Sequence, residues 1–93
     1  MSIKTKPFDI AEHLETEEDI AAFLKEVAET GDTSDFIHAL GTAARARGMT
    51  EIAREAGVTR ASLYKSLADG GNPRFETISR IVNALGLKLT VAA

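Results

Sequence analysis

Five residues in one short stretch carry the most chemistry in this chain: Thr59, Arg60, Ala61, Tyr64 and Lys65. On a helix beginning near Thr59, positions 60, 61, 64 and 65 share one broad face, because residues four apart are neighbours. These side chains suit the edges of base pairs. A guanidinium offers two N–H groups to the paired acceptors of guanine, and the methyl of Ala61 fits that of thymine. Thr59 and Tyr64 bring hydroxyls, and Lys65 reaches a base or a phosphate. Around them Thr50, Asn72 and Arg74 are candidates for phosphate oxygens, with Arg45, Arg47, Arg54 and Arg80 as weaker ones. The competing reading leaves Arg60 and Lys65 as solvated charges and packs the Tyr64 ring on the core.

No catalytic arrangement accompanies this set. His13 and His38 are isolated, Cys is absent and no helical His–His spacing occurs, so neither a metal nor another cofactor is expected. Glu15, Glu17, Glu18 and Asp19 read as the electrostatics of a helix start rather than as paired catalytic carboxylates. Gly70-Gly71 stands alone, with no phosphate loop around it. An enzyme is therefore not expected, nor a small-molecule substrate.

The elements that position the set lie between Met49 and Leu67. Thr50 is expected to cap a short helix carrying Ile52, Ala53 and Ala56, and Gly57 to stop it with a positive φ. Thr59 then caps a second short helix, Arg60 to Leu67, whose Leu63 and Leu67 lie one turn apart on a common face. Two short helices about a Gly-containing turn make a helix-turn-helix. Ala53, four residues before Gly57, is small where the helices must approach closely. The stretch resembles the helix-turn-helix of the lambda-repressor-like (Cro-type) proteins, whose pattern of Ala, then Gly, then an aliphatic residue is met by Ala53, Gly57 and Leu63. In such a pair the second helix enters the major groove by its N-terminal end while the first lies across the backbone.

Before this stretch, residues 1–7 read as a loose start and Phe8–Leu14 as a turn or two of helix behind an Asp9 cap. Thr16 opens a clearer helix, with acidic residues in its first turn, Ile20, Phe23, Leu24 and Val27 at helical spacing, and Gly31 at its end. Asp32 or Ser34 caps the next, which presents Ile37, Leu40, Gly41 and Ala44 and stops at Gly48. After the loop Ala68–Pro73, Asn72 is expected to cap a last helix with Pro73 in its first position. Its apolar stripe is Phe75, Ile78, Ile81, Val82 and Leu85. Leu87–Val91 alternates with period two and reads as a strand. A lone strand leaves backbone groups unpaired, so the expected partner is the same strand of a second copy, with Leu87, Leu89 and Val91 in a homodimer contact. A tail lying over the core is the alternative.

The fold class expected is thus all-α, a bundle of about five helices with one short C-terminal β-strand. At 93 residues the chain makes one small domain with an arm. Its net charge of −3 becomes informative when divided. Residues 1–34 hold three Lys against nine Asp or Glu, a balance of −6, whereas residues 35–93 hold eight basic and five acidic residues, a balance of +3. An acidic helical arm, 1–34, precedes a basic DNA-binding body, 35–93. The lack of Cys fits a cytoplasmic setting, and neither a signal peptide nor a membrane span is read.

Beyond the motif, the order of sequence blocks is similar to addiction-module antidote proteins, the HigA-like antitoxins paired with RelE/ParE-type toxins. It rests on Pro7-Phe8-Asp9, Ala28–Asp32, His38–Gly41, Ala44–Gly48, Leu63-Tyr64-Lys65, Gly71–Phe75 and Ala84–Leu87. That resemblance implies an antitoxin that neutralises a cognate toxin and, as a dimer, represses its own operon by binding operator DNA. The acidic arm could then cover a basic toxin surface, or else its helices pack within the antitoxin and their acidic face keeps DNA out of the wrong groove. A stand-alone transcriptional regulator without a toxin, and a helical protein-interaction module, are the other classes left open.

Overall fold

Side-chain caps set most of the helix starts. The computed structural model describes residues 9–91, which hold five α-helices, a short 3-10 turn at Ile10–His13 and no strand. Expectations for residues 1–8, including the Pro7-Phe8 part of the family pattern, lie outside these. Asp9 caps the 3-10 turn by accepting from the Ala11 N–H at 3.1 Å. Helix α1, Glu17–Thr30, opens on Thr16 with a capping box to Asp19, and α2, Thr33–Arg47, on Asp32 with a second box to Asp35. Each box satisfies two backbone donors that a helix start otherwise orphans.

The Asp19 carboxylate accepts from the N–H groups of Thr16 and Glu15 at 3.0 and 3.1 Å. Those bonds, Thr16's first, hold its pKa below the ordinary carboxylate value. A lowered folded-state pKa means that its contribution is complete above the unfolded pKa and fades as pH falls through the folded one. Asp19→Asn should therefore lower the melting temperature at neutral pH, by a margin that closes on strong acidification. Thermal denaturation followed by circular dichroism across that range checks this, and a margin independent of pH would contradict it.

Three short elements follow: α3, Met49–Ala56; α4, Arg60–Leu67; and α5, Phe75–Ala84. Two expected starts are corrected. Gly48, not Thr50, is the N-cap of α3. The single residue Gly48 at φ 112° ends α2 and begins α3, so the helix starts before Thr50 and makes no side-chain cap bond. At α5, Arg74 rather than Asn72 occupies the N-cap, without a side-chain bond. Pro73 disfavours helical geometry at Asn72 and precedes the helix instead of opening it. Phe75, now in the exposed first turn, is 66% exposed and not part of the buried stripe.

One core joins all five helices. Its largest fully buried side chains are Ile20 from α1, Leu40 from α2, Ile52 from α3, Leu63 from α4, Ile81 from α5, and Leu85 just beyond. Alanines set the spacing: Ala39, Ala43, Ala44, Ala53 and Ala56 are buried among these larger residues. At Gly41 a Cβ would meet the Leu67 Cβ at 3.6 Å, so α2 passes close to the end of α4. No helix among the described residues is long and apolar enough to cross a membrane.

The strand expected at Leu87–Val91 is corrected as well. The segment forms no ladder, and the Leu87 N–H bonds back to the Val82 carbonyl at 3.1 Å as part of the α5 ending. Leu87 packs against the core while Leu89 and Val91 are exposed. Alternating residue types favour a strand only where a second backbone completes the hydrogen bonds, and nothing here supports the pairing across a dimer.

Candidate nucleic-acid interface

The junction between α3 and α4 fixes the site. Gly57 adopts φ 74°, ψ 29°, a left-handed conformation that costs a Cβ-bearing residue about 1–2 kcal/mol. There the Val58 N–H reaches the Ala53 carbonyl at 3.0 Å and the Gly57 N–H reaches that of Arg54 at 3.2 Å, the Schellman ending of a helix. Thr59 then caps α4, accepting from the Ser62 N–H at 3.0 Å and donating to the Ser62 hydroxyl at 2.9 Å. Leu63 and Leu67 anchor α4 in the core, and Thr59, Arg60, Ala61, Tyr64 and Lys65 are left exposed on its other side.

Three of the expected residues meet in one place. Arg60 donates from Nη1 to the Thr50 hydroxyl at 3.1 Å and from Nη2 to the Tyr64 hydroxyl at 3.2 Å. Its guanidinium carbon lies 5.4 Å from the Tyr64 ring centroid, within cation–π range. Tyr64 is 46% exposed, so its ring supports Arg60 instead of filling the core. Thr50, Arg54, Arg60 and Tyr64, with Arg45 at the edge and Glu51 as the acidic member, line an open groove of about 540 Å3.

Lys65 opens elsewhere. With Ser66, Gly70, Gly71, Asn72 and Pro73 it lines a separate shallow depression of about 320 Å3. Asn72 is thus brought beside Lys65, while Arg74, exposed at the start of α5, belongs to neither depression. Ala61 is exposed one turn before Lys65 on α4.

The remaining arginines divide by their partners. Arg45 pairs with Asp9 at 3.4 Å, Arg47 donates to the Leu85 carbonyl at 3.3 Å, and Arg80 pairs with Glu76 at 2.6 Å. Such partly exposed pairs contribute about 0–1 kcal/mol each. Arg54 joins the groove because it lies one turn after Thr50 on α3, a spacing readable in the sequence. The bonds of Arg60 to Thr50 and Tyr64 were not part of the sequence reading, since the first spans ten residues and two helices. Among the described residues no group of three or more His, Cys, Asp or Glu is placed to hold a metal ion.

Comparison with known proteins places this chain in a family. A family model described as "Probable addiction module antidote protein" matches residues 4–93. An uncharacterized protein of Haemophilus influenzae is 44% identical over 91 residues, covering 98% of this chain and 94% of the relative. No solved structure matches significantly. A match that runs through all five helices and the groove between α3 and α4 means that the chain belongs to the family of probable addiction module antidote proteins.

Proposed function

We propose that this chain is an antitoxin of the HigA-like kind. It neutralises a RelE/ParE-type toxin and represses its own operon by binding operator DNA through α3 and α4, used as a lambda-repressor-like helix-turn-helix. The observation that carries the DNA part is the meeting of Thr50, Arg60 and Tyr64 on an open face, from the two helices that Gly57 joins. Arg60, Ala61 and Tyr64, with Thr59 at the helix start, face the base edges; Lys65 reaches a base or a phosphate. Thr50, Asn72 and Arg74 serve the phosphates on either side. The exposed acidic residues Glu17, Glu18 and Asp19 of the N-terminal part, 1–34, oppose a basic toxin surface and speed encounter.

The protein acts as a cytoplasmic homodimer on an inverted repeat whose half-sites lie about 34 Å apart. Leu89 and Val91, exposed beyond the core-packed Leu87, supply apolar contact between copies through their side chains. Leu89→Asp with Val91→Asp should therefore give a monomer by sedimentation equilibrium without unfolding the chain, since both residues are exposed. A variant that remains dimeric would move the contact elsewhere.

Two measurements test the function as a whole. The chain, co-expressed with the adjacent reading frame, should be retained together with that frame's product, and alone it should retard its own upstream DNA in a gel shift. Retention without retardation leaves an antidote that is not a repressor. Retardation without a bound neighbour supports the stand-alone regulator.

A further inference from the structure

We propose that Thr50 is a positioning residue: its hydroxyl, with that of Tyr64, fixes the Arg60 guanidinium before DNA arrives and so sets base discrimination at one position. The inference rests on the DNA-binding reading above. It gives Thr50 a part that a plain phosphate contact lacks.

Arg60 is exposed, and a free arginine side chain there would sample many rotamers. Instead its two terminal nitrogens are bonded to oxygens on different helices, Thr50 on α3 and Tyr64 on α4. The Tyr64 ring adds a third restraint at 5.4 Å. Both bonds are charge-assisted, with a cationic donor and a neutral hydroxyl acceptor. Of the five N–H donors of a guanidinium, three stay available for a ligand, now in a fixed plane. Bidentate recognition needs such a plane, because two N–H groups must meet two acceptors together. Ordering in the free protein removes a cost that binding would otherwise carry.

The acceptor geometry has a second consequence. Thr50 and Tyr64 receive hydrogen bonds from Arg60, so each keeps its own O–H to donate outward. Thr50, in the first turn of α3, can donate to a phosphate while it holds Arg60. The backbone contact and the base contact are then mechanically one unit. A shift of register along the duplex would misplace the guanidinium.

The test uses the full-length protein and its upstream DNA, with every base pair of the protected site substituted singly. Thr50→Val removes the hydroxyl at nearly constant volume, Tyr64→Phe removes only the Oη, and Thr50→Ser restores the acceptor. Thr50→Val is expected to reduce discrimination at the base pair sensed by Arg60 about five- to tenfold, the size of one ordinary net hydrogen bond. Affinity for unrelated duplex should fall only by the loss of the Thr50 phosphate contact, and so by less than affinity for the upstream duplex; Tyr64→Phe should act at the same base pair, and Thr50→Ser should recover the wild-type ratio. Equal loss on every sequence would reduce Thr50 to a phosphate contact and overturn the inference alone. So would wild-type discrimination in Thr50→Val. Failure of the wild-type protein to bind its upstream DNA would overturn the DNA-binding reading and this inference with it.

Discussion

Arg60→Ala should weaken specific binding to the chain's upstream DNA by about 5- to 150-fold, the equivalent of a bidentate contact worth about 1–3 kcal/mol. The fold should not notice. Arg60 is exposed and bonds only to the exposed hydroxyls of Thr50 and Tyr64, and substitutions at such surface sites usually change stability by less than about 0.5 kcal/mol. Fluorescence anisotropy with the upstream duplex and with an unrelated one separates the terms, and the specific duplex should lose far more. Lys65 sits over a different depression, shared with Asn72, and supplies the contrast. If Lys65 meets a phosphate, Lys65→Ala weakens all duplexes alike and reduces the salt slope by about one. A base contact would instead show as loss on the specific duplex alone.

Leu63→Ala should do the reverse, removing about 2–5 kcal/mol of stability. Leu63 is fully buried, one residue before Tyr64, with its side chain in the core shared by all five helices. Small domains are stable by only about 5–15 kcal/mol in total, so this one truncation takes a large share. It should lower the melting temperature by on the order of 10–30 °C. DNA binding then fails through loss of fold, in step with the unfolded fraction. Urea denaturation followed by circular dichroism measures the change directly, and a loss under about 1 kcal/mol would mean that α4 is not anchored as described. Neighbouring positions on one eight-residue helix thus separate cleanly: Arg60 governs binding without stability, and Leu63 governs stability first.

What could be read from the sequence was local. Thr16 and Thr59 cap where their side chains and spacing say they should, and of the two candidates for α2 it is Asp32 and not Ser34 that caps, because a cap is decided within about four residues. Gly57 turns the chain as expected for the same reason, and Leu63 and Leu67 are buried as their spacing requires. Errors arose where a local signal competed with its surroundings. Thr50 has a capping side chain, yet Gly48 joins α2 to α3 so tightly that the helix begins earlier. Asn72-Pro73 has the composition of a helix start, but α5 opens only at Phe75, leaving that ring in solvent. Leu87–Val91 has the alternation of a strand and no ladder to complete it.

The candidate site was legible as a set of residue types and not as an arrangement. Arg60, Tyr64 and Thr50 were each singled out, and the Arg60–Tyr64 bond lies within α4, whereas the Arg60–Thr50 bond depends on how α3 meets α4 across Gly57. Lys65 was grouped with Arg60 by helical spacing, but the two open onto different depressions because five residues of α-helix separate them by about 140° around the axis. The charge contrast between residues 1–34 and 35–93 says which half would tolerate an anionic partner, and nothing about which base such a partner would present.

The central claim is that the outer face of α4 meets duplex DNA. Backbone amide shifts of isotope-labelled protein, followed while its own upstream duplex is added, test this most directly. The expected result is a contiguous set of changes at Thr50, at Thr59 to Lys65 and around Asn72, with α1 undisturbed. Changes confined to α1 or to Leu87–Val91, or none at saturating duplex, would contradict it.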